Sequence, residues 1–166
     1  KGKEVLREKR CTECHGIGGK EGKVGPDLAE WAQYTNPILW VQMMWNHAME
    51  MKEEMQEEAI SWPKLEGDDV VDIIAYIRSG KPSGEKVFLA PGDPAEGKTL
   101  FSKKGCETCH AIRGKGGKRG PDLGVQKKDF PPTLARLAGL MWNHFPEMLK
   151  EMQKQKMKMP KLSAKD

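Results

Sequence analysis

The stretch Cys11-Thr12-Glu13-Cys14-His15 lies near the start of the chain, and the related stretch Cys106-Glu107-Thr108-Cys109-His110 lies in its second half. These two pentapeptides contain all four cysteines and two of the four histidines of the 166-residue sequence. Two cysteines three positions apart on a helical turn point in the same direction, and the histidine that follows lies close to both. The two stretches therefore predict two sites of the same kind.

Cys-x-x-Cys-His is the attachment motif of c-type haem. The two thiols form thioethers with the haem vinyl groups, and the histidine becomes the proximal ligand of the iron. The sequence thus predicts two covalently attached haem c groups. The predicted attachment residues are Cys11, Cys14, His15, Cys106, Cys109 and His110.

A Cys-x-x-Cys pair also occurs in zinc sites and in redox-active dithiols. A zinc site needs further Cys or His residues at a matching spacing, and the chain has no cysteine outside the two motifs. A thioredoxin-like dithiol needs a βαβ pattern, which the sequence does not show. Haem attachment is therefore the favoured interpretation.

The similarity of the two halves extends beyond the motifs. Residues 11–28 recur as residues 106–123, at an offset of 95. Met44-Trp45-Asn46-His47 recurs as Met141-Trp142-Asn143-His144 at an offset of 97, and this register continues to the end of the repeat. The pattern indicates one module duplicated in tandem.

The domain boundaries follow from this repeat. We expect module one at residues 1–80 and module two at residues 95–166, joined by a linker at 81–94 that is rich in Gly and Pro. Helical periodicity predicts helices at 1–14, 37–59, 70–78 and 95–104, with module two repeating the plan of module one. Module two lacks a counterpart of the helix at 70–78, so we expect the native chain to continue beyond 166 or another element to cover that face.

Each module resembles a small bacterial class I cytochrome c. The resemblance is carried by the Cys-x-x-Cys-His motifs, by Gly-Pro-Asp-Leu at 25–28 and 120–123, by the long helix that follows, and by Asp-Asp-Val-Val-Asp-Ile-Ile-Ala-Tyr-Ile at 68–77. It implies an all-α fold of two tandem class I cytochrome c-like modules, each wrapped around a covalent haem with His/Met ligation. The motif also implies an extracytoplasmic location of bacterial type, and we expect a signal segment to have been removed from the N-terminus.

The resemblance places the axial methionine of module two at Met159, which precedes Pro160 and follows His110 by 49 residues. Met148 is the alternative. In module one the same position reads Trp62-Pro63, and indole does not bind iron. Another residue must therefore serve as the sixth ligand of module one.

Methionines line one face of the predicted long helix of module one at helical spacing. We predict Met51 as the ligand, with Met55 and Met44 as alternatives. His47 and His144 could give bis-His ligation, but we expect them to hydrogen-bond a haem propionate or the backbone. The paired Trp45 and Trp142 are interpreted as packing residues.

The predicted function is that of a di-haem c-type cytochrome that relays single electrons between redox partner proteins, and not that of an enzyme. One alternative is an electron-transfer subunit of a larger redox complex or of a cytochrome polymer. The other is a di-haem oxidoreductase or peroxidase, which would need an open iron site with acid/base groups. The sequence shows no such group of residues.

Charge is divided unevenly between the halves. Residues 1–80 hold 10 Lys+Arg and 15 Asp+Glu, a net charge of −5, and residues 81–166 hold 18 and 9, a net charge of +9. We expect an acidic redox partner at module two, and at module one either a basic partner or the basic module of another copy. Nucleic acid is not an expected partner, and no apolar run approaches the length of a membrane span.

Overall fold

The computed structural model describes residues 1–20, 22–80, 92–125 and 133–166, and this part of the chain is almost entirely helical. Most of the predicted linker and Pro131-Pro132, the predicted start of the long helix of module two, lie outside these residues. The six α-helices are α1 (Gly2–Glu8), α2 (Pro37–Glu57), α3 (Asp69–Ser79), α4 (Pro94–Lys103), α5 (Leu134–Asn143) and α6 (Phe145–Lys154). Two short strands, β1 (Ala111–Ile112) and β2 (Lys115–Gly116), pair antiparallel. The all-α prediction is confirmed.

Helix α2 begins where the sequence predicts. Asn36 caps it, because its Oδ1 accepts a hydrogen bond of 2.9 Å from the N–H of Ile38, and Pro37 takes a first-turn position that needs no donor. Helix α3 packs across α1 and buries Val5 and Leu6. The two helices approach most closely at Gly2, where a Cβ would overlap a backbone carbonyl of α3.

The predicted helix at residues 1–14 is wrong in its extent, since α1 ends at Glu8. Arg10 then adopts a left-handed backbone with φ 63°, which turns the chain before a short 3-10 helix at Cys11–Glu13. Gly105 makes the same turn in module two, with φ 77°, ahead of a 3-10 helix at Cys106–Thr108. The turn therefore belongs to the repeat and presents both cysteine motifs in the same way.

Module two does not fully repeat the plan of module one, which corrects a second prediction. The long helix is divided into α5 and α6, which meet at His144. Pro146 explains the break, because it has no N–H and its ring would clash with the carbonyl of Trp142, four residues earlier. Its counterpart in module one is Met49, which lies inside the continuous helix α2.

Helix α4 differs from its counterpart α1 in having no buried residue. At Gly97, the counterpart of Gly2, an added Cβ would meet nothing within 4 Å. One contact of the missing helix is nevertheless retained. Lys104 pairs with Asp166 at 2.9 Å, and these are the repeat counterparts of Lys9 and Asp69, which pair at 3.8 Å in module one.

The two modules pack against each other in a reciprocal way. The loop that follows α2 is bound by α5, since Trp142 Nε1 donates to the Pro63 carbonyl at 2.7 Å. The loop that follows α6 is bound by α2, since Trp45 Nε1 donates to the Pro160 carbonyl at 2.8 Å. Each donor and acceptor is the repeat counterpart of the other, so the contact has approximate two-fold symmetry.

Two asparagines complete this reciprocal contact. Asn143 exchanges two hydrogen bonds of 2.7 Å with the backbone of Leu65. Asn46 does the same with the backbone of Leu162, at 2.7 and 2.9 Å. Buried side chains of both modules, from Val5 to Met152, consequently form one continuous hydrophobic core.

Candidate functional site

A large cavity opens in module one beside the first Cys-x-x-Cys-His motif. Its empty volume, including the part open to solvent, is about 1180 Å³. Helix α2 and the loops on either side of it supply most of the wall, which is predominantly apolar. The potential ligands and attachment residues on that wall are Cys11, Cys14, His15, Met44, His47, Met51 and Met55.

The imidazole of His15 is held in one orientation by the backbone. Its Nδ1 donates to the Pro26 carbonyl at 3.1 Å, which fixes the tautomer and leaves Nε2 as the metal-binding nitrogen. Burial lowers the pKa of His15, and the neutral ring is the form that binds iron. Gly25 permits this close approach, because a Cβ there would lie 2.5 Å from Nδ1.

Module two has the same arrangement around its own motif. His110 Nδ1 lies 3.0 Å from the Pro121 carbonyl. A Cβ at Gly120 would lie 2.5 Å from the His110 ring. The proximal halves of the two sites are therefore alike in their hydrogen bonds and in the glycine that makes room for the ring.

An aspartate folds the loop beneath each imidazole, a role that the sequence analysis did not assign. Asp122 accepts hydrogen bonds from the backbone N–H groups of Arg113, Gly114 and Gly124, and these bonds, that of Gly114 first, lower its pKa. Asp27 makes the equivalent set in module one. The signal that could have revealed this role was the Gly-rich segment that precedes each aspartate in the sequence.

The environment of the first cysteine pair does not favour a reactive dithiol. All four are free thiols and half-buried. Burial raises the pKa of Cys11 to about 11 and also raises the pKa of Cys14 and Cys106, whereas reactive dithiols have lowered values. Among the residues that the structure describes, no three His, Cys, Asp or Glu side chains converge to hold a metal ion.

The structure brings all three predicted methionines of module one to the same cavity. Met44, Met51 and Met55 lie on its wall, whereas Trp62 lies outside it. His47 also reaches the wall, and its Nδ1 donates to the Met43 carbonyl at 2.9 Å. This bond agrees with the backbone contact expected for His47 and leaves its Nε2 available, so the choice of the sixth ligand stays a prediction.

The candidate ligands of module two occupy different elements. Met148 is half-buried on α6, and Met159 is half-buried in the loop after it. The loop of Met159 is held on module one, since the next residue, Pro160, accepts from Trp45. His144 Nδ1 donates to the Leu140 carbonyl at 2.9 Å, as its counterpart does in module one. The identity of the second axial methionine likewise stays a prediction.

One wall residue of the module-one cavity comes from the other module. Trp142, on α5, reaches the cavity beside Pro63 and Leu65 of the loop that it binds. The sequence predicted only a packing role for it. The sequence shows that Trp142 is the repeat counterpart of Trp45, but a repeat does not indicate which module each indole faces.

The cavity fits a haem attached through its first motif. It combines two adjacent thiols, a neutral imidazole fixed through Nδ1, an apolar wall and several thioether side chains in one space. When bound, a haem supplies an iron that accepts and releases one electron. The residues of this chain would attach it through Cys11 and Cys14, ligate it through His15 and exclude water with the apolar wall.

The comparisons with known proteins agree with this site. The family model described as cytochrome c matches residues 1–81 and 94–166. Neither the curated proteins nor the solved structures include a match to this chain. The described helices include none whose length and apolar character would let it span a bilayer. Domains of the matching family bind haem c and serve in haem-based electron transfer. The chain therefore belongs to the cytochrome c family, with two domains of that family in tandem.

Proposed function

We propose that the chain is a di-haem c-type cytochrome that relays single electrons between redox partner proteins and has no catalytic activity of its own. The observation that carries this proposal is the repeated proximal site. Both Cys-x-x-Cys-His motifs are followed by the same His–Pro carbonyl hydrogen bond, at 3.1 and 3.0 Å. Two such sites within one packed core provide two places where an electron can reside.

The haems would be attached covalently through the two cysteine pairs, with His15 and His110 as proximal ligands. For the sixth position in module one we propose Met51, with Met55 and Met44 as alternatives on the same wall. A thioether ligand raises the reduction potential. Six-coordination by protein side chains also leaves no open position for a substrate, which supports a carrier and not a peroxidase.

The repeat helps to choose the ligand of module two. Trp62, the counterpart of Met159, lies outside the module-one cavity and stacks on Trp142 of the other module. By the same register Met159 would face module one. Met148, the counterpart of Met51, is therefore favoured over Met159 as the ligand of the second iron.

The distribution of charge supports docking to redox proteins. Lys150, Lys154, Lys156 and Lys158 are exposed on and after α6, while Glu50, Glu53 and Glu57 are exposed on α2. We propose that module two docks an acidic redox partner and that module one docks a basic partner or the basic module of another copy. The open face of α4 favours, as a second possibility, a place within a larger redox complex. An extracytoplasmic location of bacterial type accompanies covalent haem attachment.

Three measurements test the proposed function. The mass of the purified protein should equal that of the chain plus two haems, and an optical titration should show two reversible one-electron steps. Electron paramagnetic resonance should show low-spin ferric iron at both sites. A mass with one haem or none, or a high-spin ferric signal together with rapid turnover of peroxide, would contradict the proposal.

A further inference from the structure

We propose that Trp142 of module two is part of the haem site of module one, and that four packed aromatic rings carry electrons between the two haem sites. The rings are those of Trp142, Trp62, Phe145 and Trp45. This inference rests on the proposed function and adds a route inside the molecule.

The first observation is the position of Trp142. It belongs to α5, the helix of module two that follows the second haem-binding loop, yet it lies on the wall of the module-one cavity. Its side chain is only 3% exposed. Nε1 donates to Pro63 at 2.7 Å, and the neighbouring Asn143 binds the backbone of Leu65, so the ring is fixed against the loop that closes the cavity.

The second observation is the continuity of the rings that begin at Trp142. Trp62 stacks on Trp142 with ring centroids 4.0 Å apart and an interplanar angle of 27°. Trp62 also stacks on Phe145 at 5.1 Å and 24°. Phe145 meets Trp45 edge to face at 5.4 Å and 88°. These distances are those of direct ring contact, so no gap interrupts the series.

The third observation is that the series ends at the counterpart of the residue where it begins. Trp45 corresponds to Trp142 in the repeat, and it donates to Pro160 as Trp142 donates to Pro63. The reciprocal register of these contacts is the basis on which we assign Trp45 to the site of module two. Both indoles are nearly completely buried, with exposed fractions of 6% and 3%, and Phe145 is fully buried.

The transfer needs no chemistry on the rings themselves. With haems bound, each site would supply an iron that gains or loses one electron, and the four rings would serve as the medium between the sites without any bond or proton changing place. Electron tunnelling weakens steeply with distance and weakens further across empty space. A dense layer of π-systems without voids is therefore a better medium than a loosely packed or hydrated contact.

The test is the rate of electron exchange between the two sites in the full-length holoprotein. It is measured by two-dimensional exchange NMR on partly reduced samples, at several protein concentrations so that exchange between molecules can be subtracted. Phe145→Leu removes a ring from the middle of the series without touching the module-one cavity. We expect it to slow the internal exchange by about tenfold while both sites keep their spectra.

Trp142→Leu tests the contact of this module-two residue with the module-one site. It should slow the exchange and also shift the haem-methyl resonances of the module-one site, although the residue lies in module two. Trp142→Phe keeps a ring and should retain most of the rate. Trp31→Leu is the matched control, because Trp31 lies on the same cavity wall but contacts Trp40 and His47 instead of the four rings. It should shift the resonances but slow the exchange less than Trp142→Leu does.

An unchanged exchange rate in Phe145→Leu would overturn the proposed route. A response confined to the module-two resonances in Trp142→Leu would overturn the assignment of this residue to the module-one site. Neither result would affect the proposed function, which is tested separately by the haem count and by the two reversible reduction steps.

Discussion

The indole of Trp62 stacks on the indole of Trp142 and donates its Nε1–H to the backbone carbonyl of Trp142 at 3.1 Å. Within a continuous helix this carbonyl would accept from the N–H four residues later. That residue is Pro146, which has no N–H to donate. Trp62 therefore supplies a donor to a carbonyl that the proline leaves without its helical partner.

This contact involves two residues that differ from their counterparts in the internal repeat. The counterpart of Trp62 is Met159, and the counterpart of Pro146 is Met49 in the uninterrupted helix α2. At the symmetry-related contact, Trp45 has a helical donor for its carbonyl, and Met159 has no N–H on its side chain to offer. The two substitutions are thus complementary, and together they make the interface asymmetric.

Replacement of Trp62 by Ala should destabilise the protein without changing haem ligation. Loss of a stacked, half-buried indole from the interface should lower the free energy of unfolding by about 3–5 kcal/mol. Trp62→Phe retains the stack but not the donor, and should lower it by roughly 1 kcal/mol. Guanidinium unfolding of the oxidised holoprotein measures both. If Trp62→Ala lowers the free energy of unfolding by less than Trp62→Phe does, the stack does not hold the modules together.

Met51→Ala should alter one haem and leave the other unchanged. Removal of the thioether should abolish the charge-transfer band of Met-to-ferric-iron ligation at that site and lower its reduction potential. Met49→Ala is the matched control, since Met49 is half-buried on the same helix but does not line the cavity. If the band keeps its full strength in Met51→Ala, the ligand is Met55 or Met44, and the same measurement on those variants decides between them.

Module two allows a direct comparison between two methionines. The repeat register favours Met148, and the position of the family's axial methionine favours Met159. We expect Met148→Ala to remove the charge-transfer band of the second haem and Met159→Ala to leave it. Met159→Ala should instead perturb the packing of the loop that Trp45 holds through Pro160. Loss of the band in Met159→Ala would restore the family position as the ligand.

The sequence predicted the repeated elements well, because each is specified by residues close together in the chain. The start of α2 at Pro37 and the two Cys-x-x-Cys-His motifs depend on local patterns. The relation between the modules could not be predicted in this way. Trp142 and Pro63 are 79 residues apart, and nothing in their local sequences shows that a helix of one module binds a loop of the other.

The break in the second long helix illustrates a different limit. Pro146 was visible in the sequence, but the strong repeat of the surrounding residues favoured a continuous helix. The penalty of an interior proline, about 3 kcal/mol, outweighs a propensity difference of a few tenths per residue. The local rule was therefore the better guide at this position than the similarity between the modules.

Asp122 should make the stability of module two depend on pH in the acid range. Its pKa is lowered in the folded protein, chiefly by the backbone N–H of Gly114. A lowered folded pKa gives a stabilisation that is complete above the unfolded value, about 3.9 for Asp, and that is lost as pH falls through the folded value. The stability difference between the wild type and Asp122→Asn should therefore shrink below about pH 4.

The measurement for Asp122 is chemical unfolding at a series of pH values between neutrality and the acid transition. Glu147→Gln provides a control, because Glu147 is exposed on α6 and is not one of the partners of Asp122. A difference between wild type and Asp122→Asn that stays constant down to the lowest pH would show that the charge of Asp122 does not contribute to holding the loop.

Electron transfer to an acidic partner should depend on the lysines at the end of module two. Lys154, Lys156 and Lys158 are exposed, and the only ion pair that any of them makes within the described residues joins Lys154 to Glu151 at 3.2 Å. A surface pair of this kind is weak, so these charges are available to steer an approaching protein. Screening acts over about 8 Å at physiological ionic strength, and a steered reaction should therefore slow clearly as salt rises.

Charge reversal separates this steering from a general effect of net charge. Lys154→Glu, Lys156→Glu and Lys158→Glu together should slow the second-order reaction with an acidic redox protein and flatten its dependence on salt, since complementary charge acts mainly on the association rate. The matched variant changes Glu53, Glu57 and Glu58 to Lys. These residues are exposed on the acidic module one. This variant changes net charge by the same amount in the opposite direction, and it should leave docking at module two nearly intact while weakening the reaction with a basic partner.

If both triple variants change the rate with the acidic partner in proportion to net charge alone, the partner is attracted by the whole molecule and does not dock at module two. A wild-type rate that is flat from low to high salt would remove electrostatic steering altogether.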